Sequence, residues 1–291
     1  MKEYQVEEKY VGVRIDRYLR KEFPDLSLGD IFKTLRTGKI KVNGKKVKEN
    51  YRFLEEDRIQ NYLQVEEKEK MTFIHLSQEE KKRLEDGIFY QDTDILVFYK
   101  KAGELMHKGS SHDYGLAEQF QAYFQNEDFH FVNRLDKETS GLVLGGKCLK
   151  IVRELAEAIK KRTIIKKYYI IIEGIPEKNH FSLKTYLKKG ENKVLESQTA
   201  KEEYKECSAS FSVIRKNKEY SLLEAVLETG RTHQLRVQLA GIGFPILGDI
   251  KYGKKRAKRM YLHSHLLKIS DWEKEWDTGI PTEFLSYFNN K

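Results

Sequence analysis

One stretch, residues 131–147, constrains the fold more than any other and reads FVNRLDKETSGLVLGGK. Arg134 and Asp136 stand on either side of a leucine, and a Thr-Ser-Gly turn at 139–141 separates two apolar runs. An unpaired carboxylate is costly to bury, so charges in such a place are paired, used in chemistry or exposed to solvent. Judged by residue type alone, the stretch is either a solvated turn with a surface ion pair or a functional loop.

The net charge favours a nucleic-acid partner. The chain has 291 residues, enough for one large domain and a small one, and its 34% charged and 12% aromatic residues are typical of a globular protein. Its formal net charge is +9 and its sequence pI is about 9.1. Basic proteins bind phosphate backbones, although some bind acidic lipid or are simply kept soluble by their charge.

The cysteines and the first residues favour a cytoplasmic protein. Cys148 and Cys207 lie far apart, without a partner at metal-ligand or redox spacing, which indicates reduced thiols. The first ten residues, MKEYQVEEKY, contain charges where a secretory signal needs an apolar run. No stretch approaches the roughly 18 apolar residues of a spanning helix, so we expect neither export nor a membrane span.

The first part of the chain, residues 12–63, predicts a small domain of two helices and a hairpin. Ser27 can cap the second helix, Gly38 can end it, and the Asn43-Gly44 pair indicates a tight turn after a short strand. Basic side chains surround these elements, either as an ordinary solvated face or as phosphate contacts: Arg14, Lys33, Arg36, Lys39 and Lys41.

The following segment, residues 64–84, alternates charge signs without Gly or Pro, and we interpret it as a linker that is partly helical near its end. Residues 85–291 form the second predicted domain. It opens with two strands around an Asp-Thr-Asp turn, and residues 182–228 read as hairpins, with a helix predicted from Cys148 to Arg162. These patterns predict an α+β fold with a mixed, mainly antiparallel sheet and flanking helices.

Three separated motifs resemble those of the RluA-type pseudouridine synthases. NRLDKETSGLVL resembles their RLDxxTSGL signature, whose Asp is the catalytic residue, so the resemblance implies that Asp136 is catalytic. KKYYIIIEG, residues 166–174, resembles their Lys-x-Tyr strand and implies that Tyr168 is the active-site aromatic. By residue type alone, a tyrosine at a strand start is more often core packing.

The third motif, residues 228–253, reads ETGRTHQLRVQLAGIGFPILGDIKYG and resembles the GRTHQIRxH and GxPIxGDxxYG segments of that family. It predicts a helix from Thr232 to Leu239 that would present three basic side chains at its start. We expect Arg236 to pair bidentately with Asp136, because a guanidinium keeps its charge beside a carboxylate. The other candidate RNA contacts of this part of the chain are Arg134, Arg231 and His233.

Two further resemblances complete the set. YLHSHLLKI, residues 261–269, resembles the closing strand of the family and implies that Leu262 is an apolar wall of the pocket. RIDRYL and LRTGKIKVNGKKV resemble an S4 RNA-binding domain, which has an α-L-like fold. The basic run KKRAKR is either a solvated loop or a phosphate contact through Lys254, Lys255 and Arg256.

The resemblance implies isomerisation of uridine to pseudouridine in structured RNA, without a metal or other cofactor. It favours large-subunit (23S) ribosomal RNA, with transfer RNA as an alternative substrate, and we expect a monomer. A competing hypothesis is a non-catalytic S4-type RNA-binding or ribosome-assembly factor. Asp136, Tyr168 and Arg236 together argue against it, because a carboxylate aimed at RNA repels phosphate and serves no purpose in simple binding.

Three positions depart from the family pattern: Asn133 replaces a His, Lys101 a Pro, and Gln238 the second His of the third motif. We expect Asn133 to matter only if that His tunes the catalytic carboxylate, since a neutral amide cannot exchange a proton. Lys101 predicts greater mobility of the loop 103–114, because a proline would restrict its backbone. His107 and His112 lie in this loop and receive no role.

Overall fold

The structure is a computed structural model that describes residues 1–63, 72–108, 114–191 and 193–288. It divides into two compact units, Met1–Phe73 and Ile74–Lys291. The division lies within the predicted linker, whose residues 64–71 lie outside the described residues. The helical end predicted for this segment is present, and it opens with a capping box in which the Ser77 hydroxyl accepts the Glu80 N–H.

The first unit is a three-stranded antiparallel sheet, ordered β1-β3-β2, with two helices. The helix caps are those predicted: the Ser27 hydroxyl accepts the Asp30 N–H, and Gly38 ends the second helix with φ of 76°. Its elements are β1 (Lys2–Gln5), α1 (Ile15–Glu22), α2 (Leu28–Thr37), β2 (Ile40–Val42) and β3 (Arg58–Asn61).

The second unit is built on an 11-stranded sheet among its described residues. The main path runs β10-β9-β11-β12-β8-β13-β7-β5-β4, with β14 beside β13 and β6 beside β7. Its elements are α3 (Gln78–Gly87), β4 (Ile88–Gln91), β5 (Ile95–Lys100), α4 (Leu116–Phe124), β6 (His130–Phe131), β7 (Ser140–Gly146), α5 (Leu149–Lys160), β8 (Ile164–Glu173), β9 (His180–Lys189), β10 (Val194–Ser197), β11 (Lys205–Lys216), β12 (Tyr220–Leu227), α6 (Gln234–Gly241), β13 (Leu262–Ile269), β14 (Lys274–Asp277) and α7 (Thr282–Leu285).

The prediction of an α+β fold with a mixed, mainly antiparallel sheet is confirmed. Among the described strands, β7 and β13 are the one parallel pair, and every other pairing is antiparallel. The two strands approach closely at Gly141, which has φ of 117° and where a Cβ would overlap the Ser264 backbone. This close approach explains physically why β7 needs a glycine at that position. The predicted turn at 139–141 is wrong in its placement, because Ser140 and Gly141 belong to β7 and the turn lies between Asp136 and Thr139.

Helix α5 covers one face of this sheet. Ile151 and Leu155 of the helix are buried in one cluster with Ile164 of β8 and Leu267 of β13. Trp276 belongs to the same cluster. This packing leaves the part of β8 that follows Ile164 free to line a cavity beyond the end of the helix.

Both cysteines are free thiols, as expected. Within the described ranges, no helix combines the length and the apolar character that crossing a membrane requires.

Candidate active site

A cavity of about 840 Å³ opens in the second unit between the loop before β7, strand β8 and the segment that leads into α6. Its volume is within the range of about 300 to 1,000 Å³ that is usual for ligand pockets. The four residues that the sequence analysis assigned to catalysis or its support all line this cavity: Asp136, Arg236, Tyr168 and Leu262. The fold therefore brings together side chains that are up to 126 positions apart in sequence.

The loop that presents Asp136 is anchored to the sheet directly after this residue. The Asp136 carbonyl accepts the N–H of Thr139 at 3.0 Å, which closes a turn. The Lys100 ammonium, fully buried at the end of β5, donates to the carbonyls of Lys137 at 2.9 Å and Thr139 at 2.7 Å. Burial lowers the pKa of Lys100 to about 8. Lys100 therefore helps to fix the position of Asp136, a role that the sequence analysis missed.

Arg236 lies between two carboxylates. Its Nη1 donates to Asp136 Oδ2 at 3.0 Å, while its Nε and Nη2 donate to Asp249 Oδ2 and Oδ1 at 2.7 and 2.9 Å. The predicted contact with Asp136 is therefore present, but the prediction that it is bidentate is wrong. The fork of the guanidinium is used by Asp249, which the sequence analysis did not single out although it stands in the quoted GDIKYG segment.

Burial makes the Arg236–Asp249 pair electrostatically strong. The side chains of Arg236 and Asp249 are 7% and 0% exposed, whereas Asp136 is 26% exposed. Burial raises the pKa of Asp249, but the hydrogen bonds and charge of Arg236 outweigh this and hold that pKa below its ordinary value. Burial likewise lowers the pKa of Arg236, and the two carboxylates more than reverse the effect. Both groups are therefore charged at neutral pH.

His233 has the second polar side chain close to Asp136, with Nε2 lying 3.8 Å from Oδ2. Its Nδ1 lies 2.9 Å from the Tyr252 hydroxyl oxygen, which accepts the N–H of Val194 at 3.0 Å. The phenolic proton is therefore available to Nδ1, and we assign the ring proton to Nε2, facing Asp136. Burial lowers the pKa of His233, so the ring is neutral at neutral pH.

The backbone at His233 is also unusual, because its φ of 54° lies in the left-handed region. The helix begins at Gln234, so the predicted start at Thr232 is wrong by two residues. The physical reason is that His233 caps α6 in a left-handed conformation that a helix cannot continue through. Arg236 lies in the first turn, whereas Arg231 and His233 precede the helix.

Tyr168 and Leu262 form an apolar wall from neighbouring strands. They are 5% and 4% exposed, and the register pairs Tyr168 with Ser264 and Ile170 with Leu262. Burial raises the pKa of Tyr168 to about 12, and the Asp136 charge acts in the same direction. Its phenol is therefore protonated at neutral pH and presents a neutral aromatic ring to a ligand.

Two of the residues that depart from the family pattern, Asn133 and Gln238, make hydrogen bonds within the fold. Asn133 Oδ1 accepts the N–H of Leu144 in β7 at 2.7 Å, and its Nδ2 is buried without a hydrogen-bond partner in the described part of the chain. Gln238 is buried and donates to the Thr185 hydroxyl at 3.1 Å. Asn133 thus orients the strand that follows the Asp136 loop.

The loop 103–114 is described only in part. His107 lines the cavity, with its Nδ1 4.0 Å from Glu118, whereas His112 lies outside the described residues. The backbone N–H of Lys101 donates to Glu104 at 2.7 Å. The predicted mobility of this loop remains a prediction.

The candidate RNA contacts differ in their surroundings. Arg134, Arg231 and His233 line the cavity. In the first unit, Lys33, Arg36 and Lys39 are exposed, whereas Arg14 is paired with Asp16 and Lys41 lies over the Tyr62 ring. Lys254, Lys255 and Arg256 are exposed and lie outside the lining of the cavity, and Lys255 is paired with Glu219 at 2.9 Å. The contacts of these groups with RNA stay predictions.

The described residues contain no group of three or more His, Cys, Asp or Glu side chains placed to hold a metal ion.

Comparison with known families agrees with this fold. The model of the RNA pseudouridylate synthase family matches residues 94–241, and that of the S4 domain matches residues 13–59. The first match includes Asp136, Tyr168 and Arg236 and spans half of the chain. The chain therefore belongs to the RNA pseudouridylate synthase family, and it is an RNA pseudouridine synthase, an isomerase, with an S4 domain. The recognition of both domains from sequence is confirmed.

Two relatives and one solved structure show which proteins this chain is similar to. The chain is 32% identical over 273 residues to the ribosomal large subunit pseudouridine synthase C of Rickettsia typhi, covering 90% of each chain. It is 30% identical to the protein of the same name from Buchnera aphidicola subsp. Schizaphis graminum, covering 98% of this chain and 94% of that one. Human RNA pseudouridylate synthase domain containing 4 has a similar fold, with a TM-score of 0.59, 22% identity and coverage of 70% of this chain and 92% of that one.

Proposed function

We propose that this enzyme converts uridine to pseudouridine in large-subunit ribosomal RNA, with Asp136 as its catalytic carboxylate. The relatives named as large-subunit synthases support this substrate, because the similarity extends over nearly the whole of both chains. The single observation that supports the role of Asp136 is its position: a partly exposed carboxylate in the cavity, held through one oxygen by the buried Arg236.

The geometry supports a base-flipped substrate. A nucleotide in folded RNA must leave its stack before an enzyme can reach its glycosidic bond. The Tyr168 ring and Leu262 provide the apolar wall against which a flipped uracil can lie, and Arg134 and Arg231 supply positive charge beside it. We propose that residues 12–63 add a separate RNA contact as an S4 domain, and that residues 85–291 form the catalytic domain.

The reaction conserves all atoms of the nucleotide. The bond between N1 and C1′ breaks, the uracil turns, C5 joins C1′, and the proton lost from C5 is balanced by one gained at N1. Asp136 serves this sequence either by attacking C1′ or by abstracting a sugar proton. In both cases the reacting group is the carboxylate, and Arg236 Nη1 donates to its Oδ2 at 3.0 Å. Tyr168 is protonated at neutral pH, so the proposal gives it a packing role at the start of the reaction.

A map of pseudouridine in the ribosomal and transfer RNA of the source organism tests both parts of the proposal. Cells lacking the gene are complemented with wild type, Asp136→Asn or the control Glu138→Gln, which changes the same charge two residues away. We expect sites in large-subunit RNA to disappear on deletion and to return with wild type and the control only. Restoration by Asp136→Asn would refute its catalytic role, and loss confined to transfer RNA would refute the substrate.

We further propose that the enzyme acts in the cytoplasm as a monomer. Free thiols at Cys148 and Cys207 support a reducing compartment. Sedimentation of the purified protein at micromolar concentration measures its mass and tests whether it is a monomer.

A further inference from the structure

Lys166 is the lysine of the quoted Lys-x-Tyr strand and lines the cavity, and the proposed reaction gives it no role. It lies in β8 two residues before Tyr168, and both residues line the cavity. Because side chains alternate along a strand, Lys166 and Tyr168 point to the same face, with their backbones about 7 Å apart. On the other side of Lys166 along this face, Ile164 is buried beneath α5.

The ammonium of Lys166 extends towards the segment that leads into α6. A side-chain carbon added at Gly230 would lie 3.5 Å from Lys166 Nζ, so the charge lies above the backbone of this glycine. Gly230 directly precedes Arg231, and His233 follows two residues later. Lys166 thus stands at the edge of the cavity, between the aromatic wall and the basic segment 231–233.

The charge of Lys166 is not compensated within the described ranges. The residue is partly buried and lines the cavity, yet no carboxylate of these residues lies within 4.0 Å of its ammonium and no hydrogen bond satisfies it. Burial lowers the pKa of Lys166, with no opposing contribution from an acidic neighbour. A cation removed from water without a partner reduces the stability of the fold.

Two nearby cations differ from Lys166 because they have carboxylate partners. Lys167, the next residue, points to the other face and is paired with Glu224 at 3.3 Å. Arg236 is paired with two carboxylates. Glu228 also lines the cavity, but its carboxylate accepts the hydroxyl of Ser208 at 2.7 Å.

We propose that Lys166 binds a phosphate of the RNA strand next to the nucleotide that enters the cavity. This inference rests on the proposed function for the presence of RNA. A phosphodiester supplies the negative charge that the protein does not provide, and an ammonium contacts it as a point charge from several directions. The strand β8 then positions both halves of one nucleotide step, its base at Tyr168 and an adjoining phosphate at Lys166.

The test compares Lys166→Met with Lys167→Met, because the two substitutions remove the same charge from adjacent residues of one strand. Binding of a labelled transcript of large-subunit ribosomal RNA is measured at several salt concentrations, together with kcat and thermal unfolding. For Lys166→Met we expect about tenfold weaker binding and a logarithmic salt slope smaller by about 0.7. Its Tm without RNA should rise slightly, because an unpaired charge is removed from a partly buried position. Lys166→Arg should keep the wild-type salt slope.

Lys167→Met should keep the affinity and the salt slope, since its partner faces away from the cavity. Unchanged affinity and slope in Lys166→Met would overturn the inference, as would a loss confined to kcat at saturating RNA. The binding measurement does not depend on turnover. A wild-type protein that binds the transcript without modifying it would therefore contradict the proposed function and still decide the role of Lys166.

Discussion

Replacing Asp249 by Asn should destabilise the protein strongly, although the two side chains are nearly identical in shape. The carboxylate is fully buried and receives two hydrogen bonds from Arg236, which is itself only 7% exposed. Removing one partner of a buried pair costs about 3–5 kcal/mol, because the other charge is left without compensation. We expect the lower end of this range, since Asp136 still contacts Arg236 and the Asn oxygen can accept the N–H groups of Lys251 and Tyr252.

A loss of about 3 kcal/mol corresponds to a fall in Tm of roughly 6–12 °C for a unit of this size. The matched control is Glu283→Gln, which removes a carboxylate from an ion pair with Arg259 at the surface, where Glu283 is 48% exposed. Such a pair contributes at most about 1 kcal/mol. Thermal unfolding of the three proteins is followed by circular dichroism at neutral pH.

The pH dependence gives an independent check. Folding lowers the pKa of Asp249, so the unfolded chain binds more protons than the folded chain in acid. The free energy of unfolding therefore decreases as the pH decreases. The difference between wild type and Asp249→Asn should be constant between about pH 5 and 8 and should narrow below about pH 4. A variant that unfolds within about 2 °C of Glu283→Gln, or a difference that does not change with acid, would refute this account of the pair.

Three further predictions test two contacts of the site and the exposed basic run KKRAKR. Tyr252→Phe removes the proton that fixes the His233 ring, so kcat should fall about tenfold while RNA affinity is kept, measured by single-turnover kinetics; an equal loss of affinity would contradict the positioning role. Lys100→Met removes three hydrogen bonds to backbone carbonyls and should lower both Tm and kcat. The pKa of Lys100 is about 8 in the folded protein, so the free energy of unfolding of wild type relative to this variant should increase as the pH rises from about 8 to 10.5. Arg256→Ala should weaken RNA binding more than Lys255→Ala in filter binding, since Lys255 is already paired with a glutamate; the reverse order would contradict this reasoning.

Local elements were predictable because their signals are local. The Ser27 cap and the glycine at the end of α2 satisfy helix termini through residues within a few positions, and the sequence contains all of that information. The strands on either side of the Asp-Thr-Asp turn were found for the same reason. The motifs then supplied the order of Asp136, Tyr168 and Arg236 along the chain, and the fold brings all three to one cavity.

The partners within the site were not predictable in this way. The carboxylate that accepts two hydrogen bonds from the Arg236 guanidinium, Asp136 or Asp249, depends on the angle at which α6 meets the loop before β7. This angle cannot be derived from the spacing of residues in the sequence. The left-handed conformation of His233 was not predicted for a related reason, since a helical pattern does not reveal which residue caps the helix. One signal was available: an aspartate between a glycine and an isoleucine in a matched motif, where burial would require a cationic partner.

The division of Arg236 between two carboxylates bears directly on the reactivity of Asp136. Both hydrogen bonds from the guanidinium fork go to Asp249, so Asp136 receives one bond, and only at Oδ2. No donor among the described residues is hydrogen-bonded to Asp136 Oδ1, which leaves this oxygen available to a ligand in the cavity. A bidentate pair would instead place a guanidinium donor on each of the two oxygens. Under the proposed function, Asp249 therefore does more than hold Arg236 in place: it takes both hydrogen bonds of the guanidinium fork, so that Asp136 keeps Oδ1 for the substrate.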